Sequence, residues 1–213
     1  PASWPLAIAT CVLFTGGYAG MAALLRGPLR FDAAFTRMRD VSIFAGLALV
    51  AALVVALAYV GLYRAAFGIP QDDAWHSVVE FWIGDLIGLI VTTPFLLAFT
   101  QRTATPARGT WWETTLQALA IVGALAVVFG SGLGQELKLF YLLFLPLVWV
   151  ALRRGLAGTT AAVVMMQIGV IAAVEFGAHS AGTVLDFQVL MLAVALTGLF
   201  LAAAVEERLA AER

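Results

Sequence analysis

Charge is what this sequence has least of. Only 12% of its 213 residues are charged, 12 Lys and Arg against 13 Asp and Glu, while 62% are hydrophobic. Soluble domains carry about a quarter charged residues. The shortfall excludes a water-soluble enzyme, a nucleic-acid binder and a disordered linker together. Cysteine is almost missing as well. Cys11 is the only one, so there is neither a disulfide framework nor cysteine metal-ligand spacing. Lying within an apolar run, Cys11 reads as a small core residue. Also lacking are a Ser-His-Asp set, a His-Glu-x-x-His helix, a phosphate loop and a Cys-x-x-Cys pair. No catalysis is expected of this chain, and nothing in it requires a cofactor. Strand-like alternation is missing too, which excludes a β-barrel.

What is present is a series of apolar runs. A bilayer core of about 30 Å needs roughly 20 helical residues to cross it. Seven runs qualify: residues 4–25, 41–63, 78–99, 114–130, 137–152, 156–176 and 185–205. The fifth is short and contains Pro146, so it is expected to be short or kinked. The fold expected is therefore an all-α, polytopic membrane helix bundle of about seven transmembrane helices. If seven spans alternate, ten of the twelve basic residues share one side. These are Arg26, Arg30, Arg37, Arg39, Arg102, Arg108, Arg153, Arg154, Arg208 and Arg213; Arg64 and Lys138 face the other. The positive-inside rule makes the Arg-rich side cytoplasmic, with the N-terminus outside and the C-terminus inside. Trp4, Trp75, Trp111 and Trp112 fall near the interfaces, where amphipathic rings anchor helices. The chain opens on Pro1 and closes on VEERLAAER, a charged helical stretch leaving the membrane. Both ends read as cut.

Ionisable groups inside a membrane cost about 2.5–3.5 kcal/mol on insertion scales, so each needs a reason. Asp85 lies in the third run, in the stretch FWIGDLIGLIVTTPFLLAF. It is placed a turn or two below an interface marked by Trp82. Gly84 and Gly88, four apart, give a small-residue face allowing close helix approach, and Asp85 is expected to point into the bundle. It is equally a candidate ligand or proton site and a buried hydrogen bond locking two helices. His76 with Glu80, and Glu175 with His179, form two i,i+4 pairs at the opposite side from the Arg-rich loops. Asp72, Asp73 and Asp186 lie near the same surface. Two His and two carboxylates are ligands for a transition metal and titrate near neutral pH; solvated interface polar groups are the commoner outcome.

Two blocks resemble a known family. FWIGDLIGLIVTTPFLL, with its Trp-x-Gly-Asp-x-x-Gly core from Trp82 to Gly88, is similar to the signature of the membrane-associated sensor domains of the MASE type, first class. LPLVWVALRRGLAGTTAAV is similar to that family's Pro, Trp-x-Ala-x-Arg and Gly-pair segment. There Arg153 takes the motif position. The closing DFQVLMLAVALTGLFLAAAVEER resembles its final helix, and FDAAFTRMRDVSIF onward follows its order of spans. The resemblance covers almost the whole chain, although the family normally carries further transmembrane helices at its start. It implies a multi-pass sensor domain of the bacterial inner membrane, here N-terminally incomplete. It also implies an output module in the same polypeptide: a PAS module, a histidine kinase, or a diguanylate cyclase making cyclic di-GMP.

These observations combine into one expectation. Residues 1–205 form a membrane sensor domain, and residues 206–213 begin a cytoplasmic signalling helix toward an output domain. A periplasmic or intramembrane cue is sensed around Trp82, Gly84, Asp85, Gly88 and Arg153. It is transmitted through Leu199, Ala203, Glu206, Glu207 and Arg208. Leu192, Leu196, Leu199 and Ala203 recur at three- and four-residue steps that suit a homodimer seam. The alternatives are a transporter or small-solute binding subunit using Asp85, and a docking domain for a membrane protein partner that does the binding.

Overall fold

The computed structural model describes residues 4–29, 31–68, 70–100, 110–130, 141–176 and 184–212. Among these the regular structure is entirely helical. The helices are α1 (Trp4–Arg26), α2 (Met38–Phe67), α3 (Gln71–Thr100), α4 (Trp111–Gly130), α5 (Phe144–Phe176) and α6 (Val184–Ala211). All six are long and apolar enough to cross a membrane, so the chain is a multi-pass membrane protein. The helices overrun their apolar cores because the backbone goes on satisfying itself through polar flanking turns. α2 opens with Asp40 in its first turn, and α6 carries Arg208 in its last. Each charge complements the helix dipole. Gly68, at φ 69°, closes α2 by donating its N–H to the Arg64 carbonyl at 2.8 Å; that left-handed conformation suits glycine.

The chain divides into two compact units. The first joins the chain up to Phe31 with Ser42–Leu89, that is α1, most of α2 and the first part of α3. Its core packs Ala56, Val60, Ala74 and Val78 under Tyr59, Phe81 and Trp82. α1 lies close on α2 at Gly17, where a Cβ would sit 2.7 Å from Cγ2 of Val55. Cys11 is exposed on α1 rather than buried as expected, since few α1 residues are covered by protein.

The second unit joins Asp32–Val41 with everything from Ile90 onward. Here α5 replaces the fifth and sixth runs of the sequence with one element broken at Gly155 (φ 60°, ψ −157°). The break reverses the chain. Leu143 and Val170 share one buried cluster, yet on a straight helix they would be about 40 Å apart. Leu147 and Thr159, from opposite sides of the break, both lie within 3.3 Å of where a Cβ on Gly198 would sit. α5 is thus a helical hairpin whose two arms pack along α6. The interruption is at Gly155, not at Pro146. Proline in the first turn of a helix displaces no hydrogen bond, since its missing N–H would have no partner there.

Candidate functional site

In the first unit Asp85 stands at the midpoint of α3, about two turns beyond Val78. Helix α3 begins at Gln71, and the polar turns before Val78 are part of it. Asp85 is half-buried, and the Tyr18 hydroxyl of α1 donates to its Oδ2. Beside this pair Phe14, Tyr59 and Phe81 join α1, α2 and α3. Phe14 lies 5.6 and 5.9 Å from the Tyr59 and Phe81 ring centres, which are themselves 4.7 Å apart. Trp82 is half-buried, and its Nε1–H donates to the Leu49 carbonyl at 3.0 Å. It ties α3 to α2. Gly84 and Gly88 are exposed, and no described atom lies within 4 Å of a Cβ built on Gly88. The small-residue face is therefore not used for close packing at Gly88. Chemically, the cluster holds a carboxylate and a phenol in hydrogen-bond contact within an aromatic setting.

The second unit gathers several polar groups around the Gly155 turn. Glu113, in the first turn of α4, is buried, and its Oε1 accepts from Arg153 Nε at 2.7 Å. Arg154 donates from Nε to Gln117 Oε1 at 3.1 Å, and from Nη2 to the Thr110 carbonyl at 3.2 Å and to Thr114 Oγ1. The two arginines thus clamp the start of α4 against the turn of the α5 hairpin. At that turn a Cβ on Gly155 would collide with Oε1 of Glu206. Glu207 Oε2 accepts from the Met38 N–H at 3.0 Å. Four chain segments meet here: the start of α2, the start of α4, the Gly155 turn and the end of α6. Three of the four carry arginines of the Arg-rich side: Arg37 and Arg39, Arg153 and Arg154, and Arg208.

Of the other expected residues, His76 Nε2 lies 3.0 Å from Glu80 Oε1 on the exposed face of α3. Glu175 is exposed and belongs to the second unit. His179 and the side chains of Asp72 and Asp186 lie outside the described residues. Among the described residues no three His, Cys, Asp or Glu gather as a metal site. Arg208 pairs with Glu212 at 3.0 Å on the surface of α6. Leu199 and Ala203 are 3% and 0% exposed. Packing within the chain covers these two residues, while Leu192 and Leu196 are half-buried.

The MASE1 family model matches residues 2–209, essentially the whole chain. This chain belongs to the MASE1 family. MASE1 domains are membrane sensory domains of signalling proteins, not catalytic ones. Comparison with curated proteins and with solved structures returns no match. Within this MASE1 chain the signature stretch from Trp82 to Gly88 contributes two interhelical tethers, through Trp82 and Asp85. Tyr18, Glu113, Gln117 and the reach of Arg154 were not legible beforehand. Thr110 and Glu113 have the spacing of a capping box, the one sequence signal that points to Glu113. Tyr18 and Gln117 carry none.

Proposed function

We propose that this MASE1 chain is the input domain of a bacterial signalling protein in the inner membrane. It crosses seven times, counting the α5 hairpin arms separately, with its N-terminus outside and its C-terminus in the cytoplasm. A periplasmic or intramembrane cue acts on the tethers around Asp85, Trp82 and Arg153. α6 carries the response through Glu206, Glu207 and Arg208 to a cytoplasmic histidine kinase or diguanylate cyclase. A cue shifts such a bundle only by binding two arrangements unequally. The observation that supports this reading is the docking of the α6 end. Glu207 receives the Met38 N–H and Glu206 lies against Gly155, so movement of α2 or the hairpin reaches the exit helix directly.

Insertions after Val205 test it in the full-length protein. One residue rotates whatever follows by about 100°, and seven residues restore the phase to within about 20°. One- and two-residue insertions are expected to uncouple output from cue, and a seven-residue insertion to restore coupling. Output that ignores insertion length refutes transmission through α6.

A further inference from the structure

A groove of about 420 Å³ runs along the second unit between α4 and α5. That volume is within the usual range for small-ligand sites. Its apolar length is lined by Ile121, Val150, Ala161 and Met165, and its polar end by Gln117 and Arg154. Gln117 is 4% exposed, and its Nε2 is buried without a hydrogen-bond partner. The amide orientation is fixed, because Arg154 Nε donates to Oε1; turned over, the amide would set donor against donor. A buried donor left unpaired is costly, which makes it an unusual thing to place at a groove. Arg154 is the second feature. Its hydrogen bonds go to an amide oxygen, a backbone carbonyl and a hydroxyl. All three are neutral, so among the described residues no carboxylate cancels its charge, whereas Arg153 beside it is neutralised by Glu113.

An unpaired N–H donor and an uncompensated guanidinium therefore stand at one end of an apolar channel, between helices long enough to cross a membrane. We infer that this groove binds an anionic phospholipid. The headgroup phosphate accepts from Gln117 Nε2 and Arg154, and an acyl chain lies along Ile121, Ala161 and Met165. Charge complementarity selects an anionic lipid over a zwitterionic one, whose own cation competes for the phosphate. The site does not depend on the cue or on the identity of the output module.

The test uses the full-length protein in nanodiscs with a photoreactive phosphatidylglycerol, competed by unlabelled phosphatidylglycerol or phosphatidylcholine. Labelling is expected on the α4 and α5 peptides containing Ile121 and Ala161–Met165. Phosphatidylglycerol should compete at least about tenfold better than phosphatidylcholine, the equivalent of one hydrogen bond to a charged group. Gln117→Glu keeps an acceptor for Arg154 and cancels its charge, so the fold survives while labelling drops at least about tenfold. Gln117→Leu removes the Nε2 donor together with the Oε1 acceptor of Arg154 and should also weaken labelling, with helical content unchanged. Equal competition by the two lipids, or wild-type labelling of Gln117→Glu, overturns the inference. So does displacement by free dodecanoate with no labelling by the phospholipid, which would assign the groove to a soluble amphiphile.

Discussion

Truncating Arg153 should destabilise this domain far more than neutralising its partner. The Glu113 side chain is 7% exposed and that of Arg153 61%, so the pair is buried at one end and solvated at the other. Arg153→Ala leaves a buried carboxylate without its counter-charge, a change that costs about 3–5 kcal/mol. The N-terminal dipole of α4 offsets up to about 1 kcal/mol of that, leaving roughly 3 kcal/mol. Glu113→Gln leaves a guanidinium already facing solvent and should cost about 1 kcal/mol or less. Reversible unfolding in mixed micelles, followed by tryptophan fluorescence and far-UV circular dichroism, reads both values. The double variant Arg153→Ala/Glu113→Gln removes the orphaned charge and should recover most of the loss. Equal costs for the two single variants, or a double variant no better than Arg153→Ala, would refute burial asymmetry as the cause.

Two further outcomes follow from the geometry. Gly155→Ala forces a side chain into a conformation essentially restricted to glycine, at a cost of about 1–3 kcal/mol. It also drives a methyl group into Glu206, so protease sensitivity at the hairpin turn should rise and coupling should fall; unchanged digestion would count against it. Tyr18→Phe removes the donor to Asp85 and should cost about 1–3 kcal/mol, whereas Asp85→Asn keeps an acceptor and should cost less. Lost signalling with an intact fold in Asp85→Asn marks a sensing group, and lost folding marks a helix lock.

The membrane class, the helices and the turn at Arg153–Gly155 were legible because they depend on local composition. Twenty apolar residues cross a bilayer whatever their neighbours are. An Arg-Arg-Gly triplet between two apolar runs marks an end on its own. Which face of each helix meets protein was not legible, because lipid is as apolar as a protein core and no polar stripe separates the two. Hence Leu199 and Ala203 read as a dimer seam although the chain itself covers them, and Cys11 read as core although it is exposed. The partners of the polar residues were hidden for a different reason. Tyr18 and Asp85 are 67 residues apart, and Glu113 and Arg153 are 40 apart. Such pairings are made by packing, and no spacing rule reaches that far.

The reversal at Gly155 also bears on how the two arms of α5 can move. Both arms leave one bend, and that bend carries Arg153 and Arg154. Charge is costly to draw into hydrocarbon, so neither arm can slide toward the lipid interior without taking two arginines with it. One bend thereby pins the depth of both arms.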